Sequence, residues 1–135
     1  MLTIRPETPK DIPAVHIINA RAFETPAEAS LVDALRTRQA GILSLVAEQD
    51  GAVIGHIFFS PVTIRSLHGE FEAAGLAPMA VLPEFQKRGA GSALVRHALE
   101  ELRQMGYSAV IVLGHPEFYP RFGFLPASRW GIRFT

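Results

Sequence analysis

The sequence predicts a single mixed α/β domain of the α+β kind: a mostly antiparallel sheet followed by one strand–helix–strand unit. Three features carry this. Leu43 to Glu48 and Val53 to Ile64 are β-rich runs joined by the turn signal Gln49-Asp50-Gly51, which together read as a hairpin. From Gly89 to Met105 an apolar stripe at helical spacing lies between two further β-type runs. The length of 135 residues provides for one hydrophobic core, so residues 1–135 form one domain. With 48% hydrophobic and 19% charged residues, the composition belongs to a folded globule rather than a disordered chain.

Each element has its own justification. Leu2-Thr3-Ile4-Arg5 alternates as a short strand, and Thr8-Pro9-Lys10-Asp11 opens a helix with Thr8 as cap and Pro9 in the first turn. Ile12, Val15, Ile18 and Ala22 continue it at helical spacing. Thr25-Pro26-Ala27-Glu28 has the form of a capping box and starts a second helix, whose inner face the spacing assigns to Ala27, Leu31, Ala34 and Leu35. After the hairpin, His68-Gly69 marks a turn and Phe71 to Val81 returns as a third antiparallel strand. Pro78 lies inside that strand. Proline donates no ladder bond, so the strand is expected to split near it.

Pro83 ends the strand, and Leu94, Val95, Ala98, Leu99 and Leu102 form the inner face of the next helix, with Gly106 as its C-cap. Ala109 to Leu113 is a continuous apolar run, as a strand buried on both faces requires. It completes a βαβ unit. The aromatic segment His115 to Phe124 follows Gly114 and is expected to hold one or two helical turns, with Phe118, Phe122 and Phe124 in the core.

Composition excludes several classes of function. The absence of Cys removes disulfides, thiolate metal sites and a Cys nucleophile. Thirteen basic residues balance thirteen acidic ones and the arginines are scattered, so there is no electrostatic footprint for nucleic acid or for an anionic membrane. The five His residues are dispersed without ligand spacing, so no metal is expected. No apolar stretch is long enough to span a bilayer, and Arg5, Glu7, Lys10 and Asp11 interrupt the start before any signal sequence forms. A cytoplasmic protein is the expectation.

The chemistry concentrates between Val81 and Ser92, where a strand enters a helix through Gln86-Lys87-Arg88-Gly89-Ala90-Gly91. The first N–H groups of a helix have no intrahelical partner and carry the positive end of its dipole, so such a loop is prepared for phosphate. Gly89 and Gly91 let an anion approach the backbone, Lys87 and Arg88 add charge, and Ser92 adds a hydroxyl. The plainer alternative is a turn whose glycines serve packing. A dinucleotide fingerprint fails because Leu94 stands where a third small residue is needed, and a P-loop fails for want of Gly-Lys-Ser/Thr.

Those residues resemble the Gln/Arg-x-x-Gly-x-Gly/Ala signature of the Gcn5-related N-acetyltransferase (GNAT) family. Tyr119-Pro120-Arg121-Phe122-Gly123-Phe124 resembles its second signature, Tyr-x-x-x-Gly-Phe, and Glu28 to Arg36 is similar to the Glu-Ala-x-Leu-Val-x-x-Leu-Arg element of a YhbS-like bacterial branch. The resemblance implies a GNAT-like sheet with a splayed central strand pair and acetyl-CoA as co-substrate. Its diphosphate would lie on the N–H groups of Arg88, Gly89, Gly91 and Ser92, beside Gln86 and Lys87, and its pantetheine arm along the strand ending at Val81. Met79 would donate its backbone N–H to the thioester oxygen, and Tyr119 would protonate the leaving thiolate; the alternative for Tyr119 is packing among the neighbouring Phe residues.

The general base is the gap in this pattern. Histone-type members carry a Glu eleven positions before the signature Gln, which here is Gly75. Glu28, Glu72, His56 and His68 are the remaining candidates, each with an ordinary structural role as its alternative. The reading is an enzyme that transfers acetyl directly to a primary amine, small molecule or peptide. The competing reading is a non-catalytic acyl-CoA-binding or regulatory domain of the same fold. The resemblance also implies two more strands after Gly123-Phe124 than Leu125 to Thr135 provides, so the last strands are expected to be missing or supplied by a homodimer partner.

Overall fold

Asp50 (φ 52°) and Gly51 (φ 84°) both adopt left-handed backbone, the two-residue turn whose twist matches that of paired strands. Strand β2 (Leu43–Gln49) therefore returns directly as β3 (Ala52–Ser66), as expected. In this computed structural model, residues 1–23, 26–39 and 41–112 are described. The Thr25 cap, Leu113, Tyr119 and the rest of the aromatic segment lie outside them. Strand β1 (Leu2–Pro6), helices α1 (Ile12–Ala22) and α2 (Ala27–Thr37), the hairpin, β4 (Gly69–Val81), α3 (Ala90–Gln104) and β5 (Val110–Val112) follow in chain order. The sheet order is β1-β2-β3-β4-β5; β1 to β4 are antiparallel neighbours and β5 runs parallel to β4, closing the βαβ unit around α3.

Strand alternation divides the core in two. Leu45, Ala47, Ile57, Phe59, Leu76 and Val81 face α3, where Leu94, Val95, Ala98 and Leu102 cover them. Val46 and Phe58 point to the opposite face and meet Val15 of α1 and Val32 of α2. Burying each such aliphatic side chain contributes on the order of 1.5–3 kcal/mol. Helix α3 ends as its sequence demands: Gly106 (φ 95°) donates its N–H to the Arg103 carbonyl and Tyr107 to that of Leu102, a Schellman closure.

Three expectations need correction. Helix α2 buries Ala29 and Val32 and packs Leu35 beside them, but leaves Ala27 and Ala34 exposed and Leu31 42% exposed, so of the expected Ala27-Leu31-Ala34-Leu35 face only Leu35 points inward. Both stripes are apolar; the one that reaches Val46 and Phe58 wins, and it also lets Arg36 reach Glu7. Strand β4 does not split at Pro78. Ile57 pairs with Met79 and Phe59 with Leu76, so β4 carries one extra residue there, a β-bulge that absorbs the missing donor beside the cis Ala77–Pro78 peptide. Finally, the described residues of β5 are half-buried rather than buried on both faces.

Candidate active site

Strand β4 and the loop after it present two sets of backbone groups. The Leu82 N–H donates to the Ile54 carbonyl at 2.9 Å. Bonded and non-bonded pairs alternate along an antiparallel ladder, and the register is Gly55↔Val81, His56↔Ala80 and Ile57↔Met79. Bonds to β3 therefore fall at Leu82 and Ala80, and the peptide groups of Met79 and Val81 turn to the opposite edge. On that edge β5 pairs with Ala74 to Leu76, and no described strand pairs with residues 77–81.

The bulge sets this phase. On the other side of it Ala74 points outward, donating its N–H to the Ala109 carbonyl at 3.1 Å. An unbroken alternation from Ala74 would bring Pro78 and Ala80 to the edge, the first without a donor. The extra residue brings the Met79 N–H there instead. At Val81 the carbonyl accepts the Gln86 Nε2 amide at 3.0 Å, so Gln86 pins the loop to the strand.

The loop itself turns through two left-handed residues, Lys87 (φ 63°) and Gly89 (φ 91°), and Gly89 is the N-cap of α3. The first intrahelical bond is Ala93 N–H to the Gly89 carbonyl at 3.0 Å, which leaves the amides of Ala90, Gly91 and Ser92 without helical acceptors. A Cβ on Gly89 would meet no atom within 4 Å, so the space beside it is open. Lys87, Arg88 and Gly89 are exposed, and the Arg88 guanidinium lies 5.9 Å from the centroid of the Phe85 ring. Free helical amides thus lie at one end of this stretch and outward-turned strand-edge peptide groups at the other.

The base candidates fare differently. His56 is fully buried: its Nδ1 accepts from Asn19 Nδ2 at 3.1 Å, and Nε2 lies 2.9 Å from Ser44 Oγ. Asn19 Nδ2 also donates to the Val15 carbonyl, which orients the amide and places the His56 proton on Nε2. Burial, then the Arg36 charge, push the imidazole pKa down to about 3. A neutral, fully bonded, sealed ring cannot reach substrate. Glu7, 3.8 Å from Nε2, is itself occupied by a two-pronged pair with Arg36.

Glu72 is exposed and seven residues from Met79 along β4, roughly 20 Å at the rise of a strand, and His68 is farther still at the turn. A Cβ at Gly75 would lie 2.5 Å from Val62 Cγ2, so the place of the histone-type carboxylate is filled by Val62. Glu28 is half-buried in the first turn of α2. Sequence reasoning passed over the Asn19–His56–Ser44 chain, because nothing in local spacing brings an α1 residue under a strand 37 positions away. Among the described residues no cluster of three potential metal ligands forms, and no helix is long and apolar enough to cross a membrane.

A bulged strand edge that runs into a helix start with free amides, inside a five-stranded mixed sheet, is the arrangement that the resemblance to the acyl-CoA-dependent GNAT acyltransferases implies. Comparison with known proteins makes the assignment specific. A family model described as an acetyltransferase (GNAT) domain matches residues 3–127. The chain belongs to the GNAT acetyltransferases, whose acyl donor is acetyl-CoA. It is 40% identical over 133 residues, 98% of its length and 78% of the relative's, to the uncharacterized N-acetyltransferase YhbS of Escherichia coli K12. The crystal structure of Escherichia coli YhbS with CoA superposes with a TM-score of 0.90 at 39% identity, covering 98% of this chain and 73% of that one. A GNAT acetyltransferase from Brucella melitensis with acetyl-CoA gives 0.86 at 40% identity, covering 93% and 84%.

Proposed function

We propose that the chain moves the acetyl group of acetyl-CoA directly to a primary amine, carried by a small molecule or a protein, in a ternary complex without an acyl-enzyme. The observation behind this reading is the outward turn of the Met79 and Val81 peptide groups on the edge that leads into the free helical amides. The amides of Arg88, Gly89, Gly91 and Ser92 hold the diphosphate, Lys87 and Arg88 add charge, and pantetheine pairs with the Met79–Val81 edge. The amine attacks the thioester carbon. Its oxygen gathers negative charge against the Met79 N–H, a donor worth about 3 kcal/mol where single donors were removed elsewhere.

The C–S bond then breaks and sulfur leaves with the electron pair. Tyr119, assigned by resemblance, supplies its proton. The proton of the amine departs to Glu28, directly or through water. Holding amine and thioester together contributes much of the acceleration.

Calorimetry with acetyl-CoA, coupled to thiol release over a panel of amines, tests this. Binding and amine-dependent release are expected; no heat with any CoA derivative removes the whole reading, and binding without release assigns a CoA-binding domain instead. Tyr119→Phe is expected to lower kcat at least about a hundredfold with acetyl-CoA affinity kept; full activity in that variant removes Tyr119 as the acid.

A further inference from the structure

Arg21, in the last turn of α1, reaches across the molecule to Glu84, which lies in the single helical turn Pro83–Phe85 between β4 and the acetyl-CoA loop. One guanidinium nitrogen, Nη2, donates to both carboxylate oxygens, at 3.0 and 3.2 Å. The turn sits between the Leu82 bond to β3 and the Gln86 bond to Val81, and Phe85 within it carries the Arg88 side chain over its ring. An acid three residues before Lys87 is out of place for anion binding, because its charge opposes that of a diphosphate. Its partner resolves this: Arg21 neutralises the carboxylate and ties the turn to α1, a helix packed on the Val46 and Phe58 face.

We infer that Arg21 and Glu84 form a clasp that positions the acetyl-CoA loop from α1, so that both are positioning residues for donor binding. This rests on the donor-loop reading above. The clasp makes a prediction opposite in sign to simple electrostatics. Removing a negative charge near a diphosphate ordinarily tightens binding; here Glu84→Gln frees the turn and weakens it. Both side chains are about half exposed, so the effect is of the size that surface pairs deliver.

Acetyl-CoA titrations by calorimetry decide it. Arg21→Gln and Glu84→Gln are each expected to raise the Kd about two- to fivefold, and the double variant to raise it no further. The exchanged pair, Arg21→Glu with Glu84→Arg, is expected to restore it. Arg103→Gln, which breaks the exposed Arg103–Glu100 pair on α3, serves as control and leaves the Kd unchanged. Near 1 M salt, where screening reaches about 3 Å, the difference between wild type and the single variants is expected to shrink. Binding by the wild type with an unchanged or lower Kd in Glu84→Gln overturns the clasp alone, as does failure of the exchanged pair. A wild type that does not bind acetyl-CoA at all overturns the donor-loop reading first.

Discussion

The two faces of the sheet are built on different physics. Against α3 the core is wholly aliphatic and aromatic, and the free polar groups lie at the strand edge and the helix start, in the backbone. Against α1 and α2 the apolar cluster is smaller, and a polar chain of buried Asn19 and His56 ending at half-buried Ser44 runs beside the Glu7–Arg36 pair. The first arrangement leaves backbone donors without a protein acceptor; the second closes both nitrogens of His56 onto protein. The proposed donor site therefore rests on backbone groups, whereas Asn19 and His56 on the other face hold a helix to a strand.

Substitutions on each face should separate these roles. The largest effect is expected for Leu94→Ala on the α3 face, about 3–5 kcal/mol of stability by chemical denaturation, because the side chain is fully buried and its loss leaves a cavity. His56→Phe on the other face should cost about 2–4 kcal/mol, since Ser44 and Asn19 lose their partner inside the protein.

The same variant sharpens the contrast through pH. With an ordinary value of 6.5 and a folded value of about 3, His56 takes up a proton in the unfolded chain and not in the folded one between those limits. Stability should thus fall as pH drops from about 6.5 towards 3, by up to about 1.4 kcal/mol per unit from this group, and that share should vanish in His56→Phe. Asp11, held below the usual carboxylate range by Arg5, opposed by burial and helped by Thr8, adds its own loss as pH falls through its ordinary value of 3.8, overlapping the low end of the His56 range and continuing below it. A denaturation series from pH 7 to 4 that is equally steep with and without His56 would contradict the assignment.

A smaller effect on stability, alongside a loss of binding, is expected for Gly89→Val. A β-branched side chain there must hold φ 91°, a strain that lowers stability by about 1–3 kcal/mol or is relieved by a change in the path of the loop, and acetyl-CoA affinity should drop about tenfold. An unchanged acetyl-CoA affinity in that variant would show that the loop is not the donor site.

Much of this was legible along the chain. The β-rich runs Leu43–Glu48 and Val53–Ile64, the Asp50-Gly51 turn, the α3 stripe and Gly106 are local signals, each a consequence of side-chain type, of helical period or of backbone that glycine adopts freely. The rotation of α2 was not legible, because Ala27, Leu31 and Ala34 are as apolar as Ala29 and Val32, and only the surface beneath the helix chooses between them. Pro78 was recognised as an obstacle to pairing. That β4 would absorb it with one extra residue depends on the register of β3, where Ile57 and Phe59 find Met79 and Leu76.

The amino-acid order alone determined the elements, their succession and the basic, glycine-bearing entry to α3, since these rest on interactions between residues a few positions apart. Tertiary structure decided which peptide groups face outward at Met79 and Val81, that Val62 fills the place beside Gly75, and that His56 is sealed between Asn19 and Ser44. Those outcomes depend on register and on contacts across tens of residues, which no local periodicity encodes.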